Sequence, residues 1–82
     1  MKYKNRVFED KSCSNEDYME TIRGKCWDLH DKGVSYQSMA DACGVCGSTV
    51  RNFANCIRNG MNKKNWNKFS SHIEELYSKV FG

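Results

Sequence analysis

The stretch SYQSMADACGVCGSTVRNFA, residues 35–54, holds two short helical patterns separated by three residues. Ser35 is a suitable N-cap for the first helix, whose apolar face stops at Gly44, a residue that tolerates the left-handed conformation of a turn. The second helix is expected to start near Gly47-Ser48 and to end at Asn59-Gly60. The segment therefore predicts two helices joined through a tight corner.

Small and apolar residues occupy the positions at which two steeply crossing helices would meet. Ala40 keeps the contact on the first helix small, so that the two backbones can approach. Val45 is expected to tuck into the core, and Val50 and Phe53 to anchor the second helix against the first. Outside this packing, the second helix keeps a polar side free, formed by Gly47, Ser48, Arg51, Asn52 and Asn55.

Apolar residues also recur at helical spacing on both sides of this segment. Ser14-Asn-Glu-Asp17 has the form of a capping box and predicts a first helix of about four turns that ends at Gly33. Its apolar stripe consists of Tyr18, Met19, Ile22, Cys26 and Leu29. A last helix is expected to begin near Asn62 or Asn65, with a stripe formed by Trp66, Phe69, Ile73, Leu76, Tyr77 and Val80.

No strand pair, internal repeat or linker interrupts these patterns, and 82 residues are enough for one domain. We therefore expect an all-α fold, a compact domain of four or five helices. Residues 14–82 are expected to form this domain, and residues 1–13 an N-terminal arm. A core of this size supplies only about 3–5 kcal/mol without a disulfide, a metal site or a partner chain, so dimerisation is one way to stabilise the fold.

The net charge is +3, and the acidic residues are unevenly distributed. Half of the ten acids lie within residues 14–33, so that the remaining surface could approach a polyanion. A solvated surface of mixed charge explains the same composition equally well. No apolar run approaches the ~18 residues of a membrane span, and no signal peptide is evident, which predicts a cytoplasmic protein without a membrane partner.

The segment 35–60 resembles the helix-turn-helix of bacterial and phage regulators, particularly the lambda-type repressor and Cro group. Ala40, Gly44, Val50 and Phe53 are the residues on which this resemblance rests. In that family the second helix enters the major groove with its N-terminal residues against base edges. The resemblance implies a sequence-specific transcriptional regulator, a repressor of phage or mobile-element origin that binds a pseudo-palindromic operator in double-stranded DNA as a dimer.

The same resemblance implies a role for each polar residue of the second helix. The base-reading residues would be Gly47, Ser48, Arg51, Asn52 and Asn55. Arg51 could bond guanine O6 and N7 together, and Asn52 or Asn55 could pair with adenine N6 and N7. Phosphate contacts would come from Gln37, Lys63, Lys64 and Lys68. A basic arm would consist of Lys2, Lys4 and Arg6.

The end of the last helix is the predicted dimer contact. Trp66, Phe69 and Ile73 are expected to close the core of the monomer. Little chain remains to cover the residues that follow, which are Leu76, Tyr77, Val80 and Phe81. Two-fold symmetry would place two recognition helices ~34 Å apart, one turn of DNA.

The five cysteines are expected to be reduced, because their number is odd and nothing indicates secretion. The C-x-x-C pair at residues 43–46 lacks the second close pair of a structural zinc site, so we expect no metal and no cofactor. Cys26, Cys43 and Cys56 are instead expected to pack as small apolar side chains. A zinc- or thiol-responsive sensor that uses Cys46 is the weaker alternative.

An enzyme is not expected. His30, His72 and the adjacent pair Glu74-Glu75 have no nucleophile at a recognisable spacing and are read as surface residues. The main alternative to DNA binding is a protein-binding module, since some small phage proteins of helix-turn-helix fold, including anti-CRISPR proteins, bind and inhibit a host protein. The second helix has only Arg51 and Arg58 as cations, which favours this alternative somewhat.

Overall fold

The structure is a computed structural model, and it describes residues 9–12, 14–56 and 62–82. These residues form four α-helices, which are α1 (Glu16–Asp31), α2 (Tyr36–Cys43), α3 (Gly47–Ala54) and α4 (Lys63–Phe81). No strand occurs in the described part of the chain. The predicted all-α four-helix domain is confirmed. Of the predicted N-terminal arm, the residues Lys2, Lys4 and Arg6 lie outside the described residues.

Helices α1 and α4 pack side by side and run in the same direction. Near their starts, the rings of Tyr18 and Trp66 meet edge to face, with centroids 6.0 Å apart. Further along both helices, the Tyr77 hydroxyl donates a hydrogen bond to Asp28 Oδ2 at 3.3 Å. This pairing leaves α2 and α3 to close the core from the other side.

The core is built from the apolar stripes that the sequence predicts. Its buried side chains are Tyr18, Met19, Ile22, Cys26, Leu29, Met39, Ala40, Cys43, Val50, Phe53, Ala54, Trp66, Phe69, Ile73 and Tyr77. The Phe53 ring lies 5.5 Å from the Trp66 ring and 5.7 Å from the Phe69 ring, in edge-to-face contacts. These aromatic contacts fix α3 against the N-terminal half of α4.

Helices α1 and α2 end in the same motif, a left-handed glycine followed by a valine. Gly33 has a φ of 97° and Gly44 a φ of 73°. The N–H groups of Val34 and Val45 each donate to the carbonyl five residues earlier, at 3.0 Å. These bonds satisfy carbonyls that the helix ends would leave free, and both valines pack against the core. The predicted stop at Gly44 and the inward position of Val45 are confirmed.

The start of α1 differs from the prediction by one residue. Its N-cap is Asn15 rather than Ser14, because the Asn15 side chain accepts the N–H of Tyr18 at 3.3 Å. Asn15 Nδ2 also donates to the Asp10 carbonyl at 2.8 Å, which ties the preceding segment to the helix. The predicted N-cap of α2, Ser35, is confirmed. Helix α4 has Asn62 as its N-cap, which is one of the two predicted starting points.

Helix α3 is shorter than the sequence predicts, because it ends at Ala54 with Asn55 as its C-cap. Cys56 follows with a φ of 62°, a left-handed conformation that is uncommon for a residue with a side chain. Cys56 is exposed, so the expectation that it packs in the core is wrong. The remainder of the predicted helix, at residues 57–60, lies outside the described residues.

Two charged side chains of α1, Arg23 and Lys25, are buried, which the sequence did not indicate. Lys25 Nζ lies 3.8 Å from Glu74 Oε1 on α4, and burial lowers the pKa of Lys25. Glu74 Oε2 accepts a hydrogen bond from the Tyr18 hydroxyl at 3.1 Å and lies 3.6 Å from Lys11 Nζ. Glu74 therefore joins α4 to α1 and to the segment before it, in a partly buried position.

Candidate nucleic-acid interface

The corner between α2 and α3 consists of residues 44–46. Gly44 ends α2, Val45 is half-buried against the core and Cys46 is the N-cap of α3. Ala40 is fully buried, as its predicted place at the contact between the helices requires. The chain thus changes direction between two separate helices, and one side of α3 remains uncovered.

The uncovered side of α3 is polar. Val50, Phe53 and Ala54 are buried, whereas Ser48, Arg51 and Asn55 are exposed and Asn52 is half-buried. Residues 48, 51 and 55 are three and four apart, so their side chains project from one side of the helix. We term Ser48, Arg51, Asn52 and Asn55 the polar face. It offers a guanidinium, two amides and a hydroxyl, which can hydrogen-bond to base edges or to another polar surface.

Gly47 does not belong to this face, although the resemblance places it against base edges. It is buried, and a Cβ added there would overlap the carboxamide of Gln37. The missing side chain therefore lets Gln37 of α2 lie over the first turn of α3. Gln37 Nε2 also donates to Asp41 Oδ1 at 2.8 Å, one turn along α2. Gln37 is itself exposed at this position, and its predicted phosphate contact stays a prediction.

The N-terminal end of α3 is exposed at Cys46. The Cys46 thiol lies in hydrogen-bond contact with Ser48 Oγ, at 3.1 Å. This contact, together with the N–H groups of Ser48 and Thr49, lowers the pKa of Cys46. The same N–H groups make the start of a helix favourable for negative charge, whether from a thiolate or from a phosphate.

The C-terminal end of α3 is held by two side chains of α1. Arg23 Nε donates to the Phe53 carbonyl at 2.8 Å, and Trp27 Nε1 donates to the Ala54 carbonyl at 2.8 Å. The Arg23 guanidinium also lies 4.6 Å from the centroid of the Phe53 ring and pairs with Glu20. We term Arg23 and Trp27 the α1 clamp. Sequence reasoning missed it, and the available signal was their separation of four residues, which places both on one face of α1.

The three lysines predicted to contact phosphate, Lys63, Lys64 and Lys68, are all exposed in the first turns of α4. Trp66 lies between Lys64 and Lys68 in sequence, and Phe69 follows Lys68. Both aromatic side chains face inward and pack against Phe53 of α3. This part of α4 therefore contacts α3 through its buried aromatic side chains, while its three lysines are exposed to solvent.

The predicted dimer contact is only partly on the surface. Tyr77 is 2% exposed within a single chain, because its ring lies 4.4 Å from that of Phe81 and its hydroxyl bonds to Asp28. It belongs to the core of the monomer and is not available to a second copy. Leu76 and Phe81 are half-buried, and Val80 is 41% exposed. These three residues form the apolar surface that remains at the end of α4.

Side chains that could bind a metal do not converge in the described ranges. No group of three His, Cys, Asp or Glu residues within residues 9–12, 14–56 and 62–82 could hold a metal ion, and no pocket opens among these residues. Cys26 and Cys43 are buried as predicted, whereas Cys46 is exposed. Burial raises the pKa of the Cys43 thiol to about 11.

Across the described residues, no helix combines the length and the apolar character that crossing a membrane requires. Comparison with known proteins returned no family model, no curated protein and no solved structure that matches the chain. The resemblance to the helix-turn-helix of phage regulators therefore stays a prediction.

Proposed function

We propose that the chain is a sequence-specific DNA-binding protein that reads base edges with the polar face of α3. The observation that supports this most directly is the arrangement of Ser48, Arg51 and Asn55 on one side of a helix whose opposite side is anchored in the core. The major groove of B-DNA admits an α-helix, and each base pair presents a distinct set of donors and acceptors there. The side chains of the polar face match such sets.

Arg51 is the residue to which we assign most of the specificity. Its guanidinium is exposed, and a guanidinium can bond guanine O6 and N7 at the same time. Asn55 lies one turn further along the same side and suits adenine N6 and N7, while the half-buried Asn52 supplies a second amide. Ser48 lies at the N-terminal end of the helix, where it can reach either a base or a phosphate.

Phosphate contacts would surround the reading helix on two sides. The exposed start of α3 and Gln37 of α2 supply donors at one end. The exposed lysines in the first turns of α4, Lys63, Lys64 and Lys68, would supply the others. Such contacts carry no sequence information but fix the register of the protein on the duplex.

We further propose that two copies associate through Leu76, Val80 and Phe81 and repress transcription from a pseudo-palindromic operator, as regulators of phage or mobile elements do. One polar face with one guanidinium makes few contacts, so a second half-site would strengthen binding substantially. Two-fold symmetry would separate the two α3 helices by ~34 Å, the length of one turn of DNA.

A protein-binding inhibitor is the second candidate, and two observations favour it. Arg51 is the one cation within Gly47–Ala54, which is few for a helix that enters a major groove. Trp27 is 43% exposed beside the end of α3, and tryptophan is enriched at protein interfaces. A host enzyme that acts on nucleic acid would be the corresponding partner.

Selection from randomised duplex DNA tests the main proposal, and enrichment of a palindromic motif is expected. Arg51→Ala should then weaken binding to the selected duplex by about 1–3 kcal/mol, and affinity should fall steeply as salt rises. Lys79→Ala is the matched control, because Lys79 is an exposed cation that pairs with Glu75 near the end of α4.

Sequence-specific DNA reading would be excluded if no motif were enriched. It would also be excluded if affinity for the selected duplex changed neither in Arg51→Ala nor with salt concentration. A protein recovered by pull-down after nuclease treatment, with binding lost in the Arg51→Ala variant, would then support the second candidate.

A further inference from the structure

The orientation of α3 within the fold cannot be set by the helix alone. Helix α3 has eight residues, and isolated helices of this length are not stable in water. Its buried side chains set which side of the helix faces the core. Apolar contacts are non-directional, however, and define the exact rotation of a helix about its axis less sharply than hydrogen bonds do. Directional contacts at the helix ends set that rotation more closely.

We propose that the α1 clamp, Arg23 and Trp27, is the device that positions the polar face of α3 for recognition. The inference rests on the proposed function, since it assigns to these residues a part in placing Arg51 and Asn55 against base edges. Neither clamp residue is required to touch DNA. Each acts through the backbone of the helix that does.

The hydrogen bonds of the clamp fall on the C-terminal carbonyls of α3, of which the Phe53 carbonyl also accepts the Cys56 N–H at 3.2 Å. The last carbonyls of an α-helix have no intrahelical partner. In α3, the Phe53 carbonyl accepts Arg23 Nε and the Ala54 carbonyl accepts Trp27 Nε1, both at 2.8 Å. Successive carbonyls lie about 100° apart around the helix axis, so two bonds to them fix the rotation of α3 as well as the position of its end.

Arg23 is suited to this task by its shape. A buried cation is costly unless its donors are satisfied, and Arg23 is 2% exposed. Its Nε bonds to the Phe53 carbonyl, its Nη1 pairs with Glu20, and its plane lies against the Phe53 ring. Because the guanidinium is rigid and planar, these contacts hold together for one orientation of the end of α3.

The reading residues lie in the same turn that the clamp holds. Arg51 and Asn55 flank Phe53 and Ala54 in sequence, and the Asn55 N–H donates to the Arg51 carbonyl at 2.9 Å. Paired hydrogen bonds to a base tolerate only a few tenths of an ångström in distance. A small rotation of this turn would therefore cost specific contacts and leave contacts to phosphate nearly unchanged.

Trp27→Phe is the decisive variant, because it removes the indole N–H and keeps an aromatic ring at a partly exposed position. Hydrogen exchange of the Asn55 and Cys56 amides, which bond to the carbonyls of Arg51 and Phe53, should become roughly five-fold faster, as expected for one lost neutral hydrogen bond. Exchange of the Cys26 amide in the middle of α1 should not change.

Binding measurements separate positioning from general destabilisation. The probes are the duplex selected by the wild-type protein and a scrambled duplex of the same composition. Trp27→Phe should lower the ratio of selected to scrambled affinity by roughly five-fold and leave scrambled affinity unchanged. Tyr36→Phe is the control, since it removes one hydroxyl from a half-buried ring of α2 and should leave this ratio unchanged. A loss of global stability alone would not change this ratio at temperatures where the chain stays folded.

Arg23→Lys is the second variant, because it keeps the charge and loses the Nε donor, and it should change exchange and the affinity ratio in the same direction. If Arg23→Lys does not fold, the Trp27→Phe variant alone tests the inference. An unchanged affinity ratio in Trp27→Phe overturns the inference. If the wild-type protein selects no duplex, hydrogen exchange in Trp27→Phe tests the inference by itself. Faster exchange at Asn55 and Cys56 would show that the clamp positions α3 for a partner other than DNA. Unchanged exchange would show that the clamp does not position α3.

Discussion

Lys25 Nζ lies 3.8 Å from the Glu74 carboxylate across the contact between α1 and α4, and only 6% of the Lys25 side chain is exposed. The same carboxylate accepts a hydrogen bond from the Tyr18 hydroxyl and lies 3.6 Å from Lys11 Nζ. One partly buried acid therefore neutralises a buried cation and joins three parts of the chain. Its removal would leave Lys25 without this partner in a site from which water is largely excluded.

The first prediction is that Glu74→Gln lowers the free energy of unfolding by about 1–3 kcal/mol, the range for losing a charged partner of a buried group. Urea unfolding measures the change. Glu75→Gln is the control, because Glu75 is 65% exposed and pairs with Lys79 on the surface. It should leave the free energy nearly unchanged. Equal losses in the two variants would contradict the assigned role of Glu74.

The second prediction concerns the corner. Gly44→Ala should lower the free energy of unfolding by about 1–2 kcal/mol, because alanine is strained in the left-handed conformation. A Cβ at Gly44 would meet no atom within 4 Å, so the loss would arise from backbone conformation and not from a clash. Gly44→Asn is the control, since asparagine tolerates this conformation better, and should cost less. Equal costs would argue against a conformational cause.

Apolar spacing and glycine position were enough to predict most of the fold. The stripes at helical spacing identify the core because burial of apolar surface dominates folding, and Gly33 and Gly44 mark two helix ends because their conformation is local. Apolar spacing and glycine position both depend on residues that are close in sequence. They can therefore be interpreted without the tertiary structure.

The unpredicted burial of Arg23, Lys25 and Gly47 depends on partners distant in sequence. Arg23 is buried because the Phe53 carbonyl and ring lie against it, and Lys25 because Glu74 does. Gly47 is covered because the side chain of Gln37, which belongs to α2, lies over the first turn of α3. The polar face could be named from helical spacing, whereas the same spacing places Arg23 and Trp27 on one face of α1 without revealing the α3 carbonyls that they bind.

The third prediction concerns association. If two copies pair through Leu76, Val80 and Phe81, Val80→Glu should convert the dimer to a monomer in sedimentation velocity, because it would bury a charge. The circular dichroism spectrum should stay helical, since Val80 is 41% exposed in the single chain. Ser78→Glu is the control, because it adds the same charge at an exposed position on a different side of α4. A wild-type protein that sediments as a monomer would contradict the proposed interface.

The fourth prediction follows from the buried thiols. Burial raises the pKa of Cys43 from 9.0 to about 11, and it raises the pKa of Cys26 as well. Between pH 9.0 and about pH 11, the folded chain keeps the Cys43 thiol proton, whereas the unfolded chain releases it. The stabilisation is therefore complete below pH 9 and is lost as the pH rises towards 11, by up to about 1.4 kcal/mol per pH unit for each thiol.

Cys43→Ala isolates this contribution from the other groups that titrate in alkali. Lys25 acts in the opposite direction, because burial lowers its pKa and the unfolded chain then holds the extra proton. Comparing urea unfolding of the wild type and Cys43→Ala between about pH 8 and pH 10, under reducing conditions, cancels the contribution of Lys25. The variant should be less stable near pH 8, because it leaves a cavity, but should lose less stability as the pH rises. Parallel pH dependences would show that the folded chain does not protect the Cys43 proton.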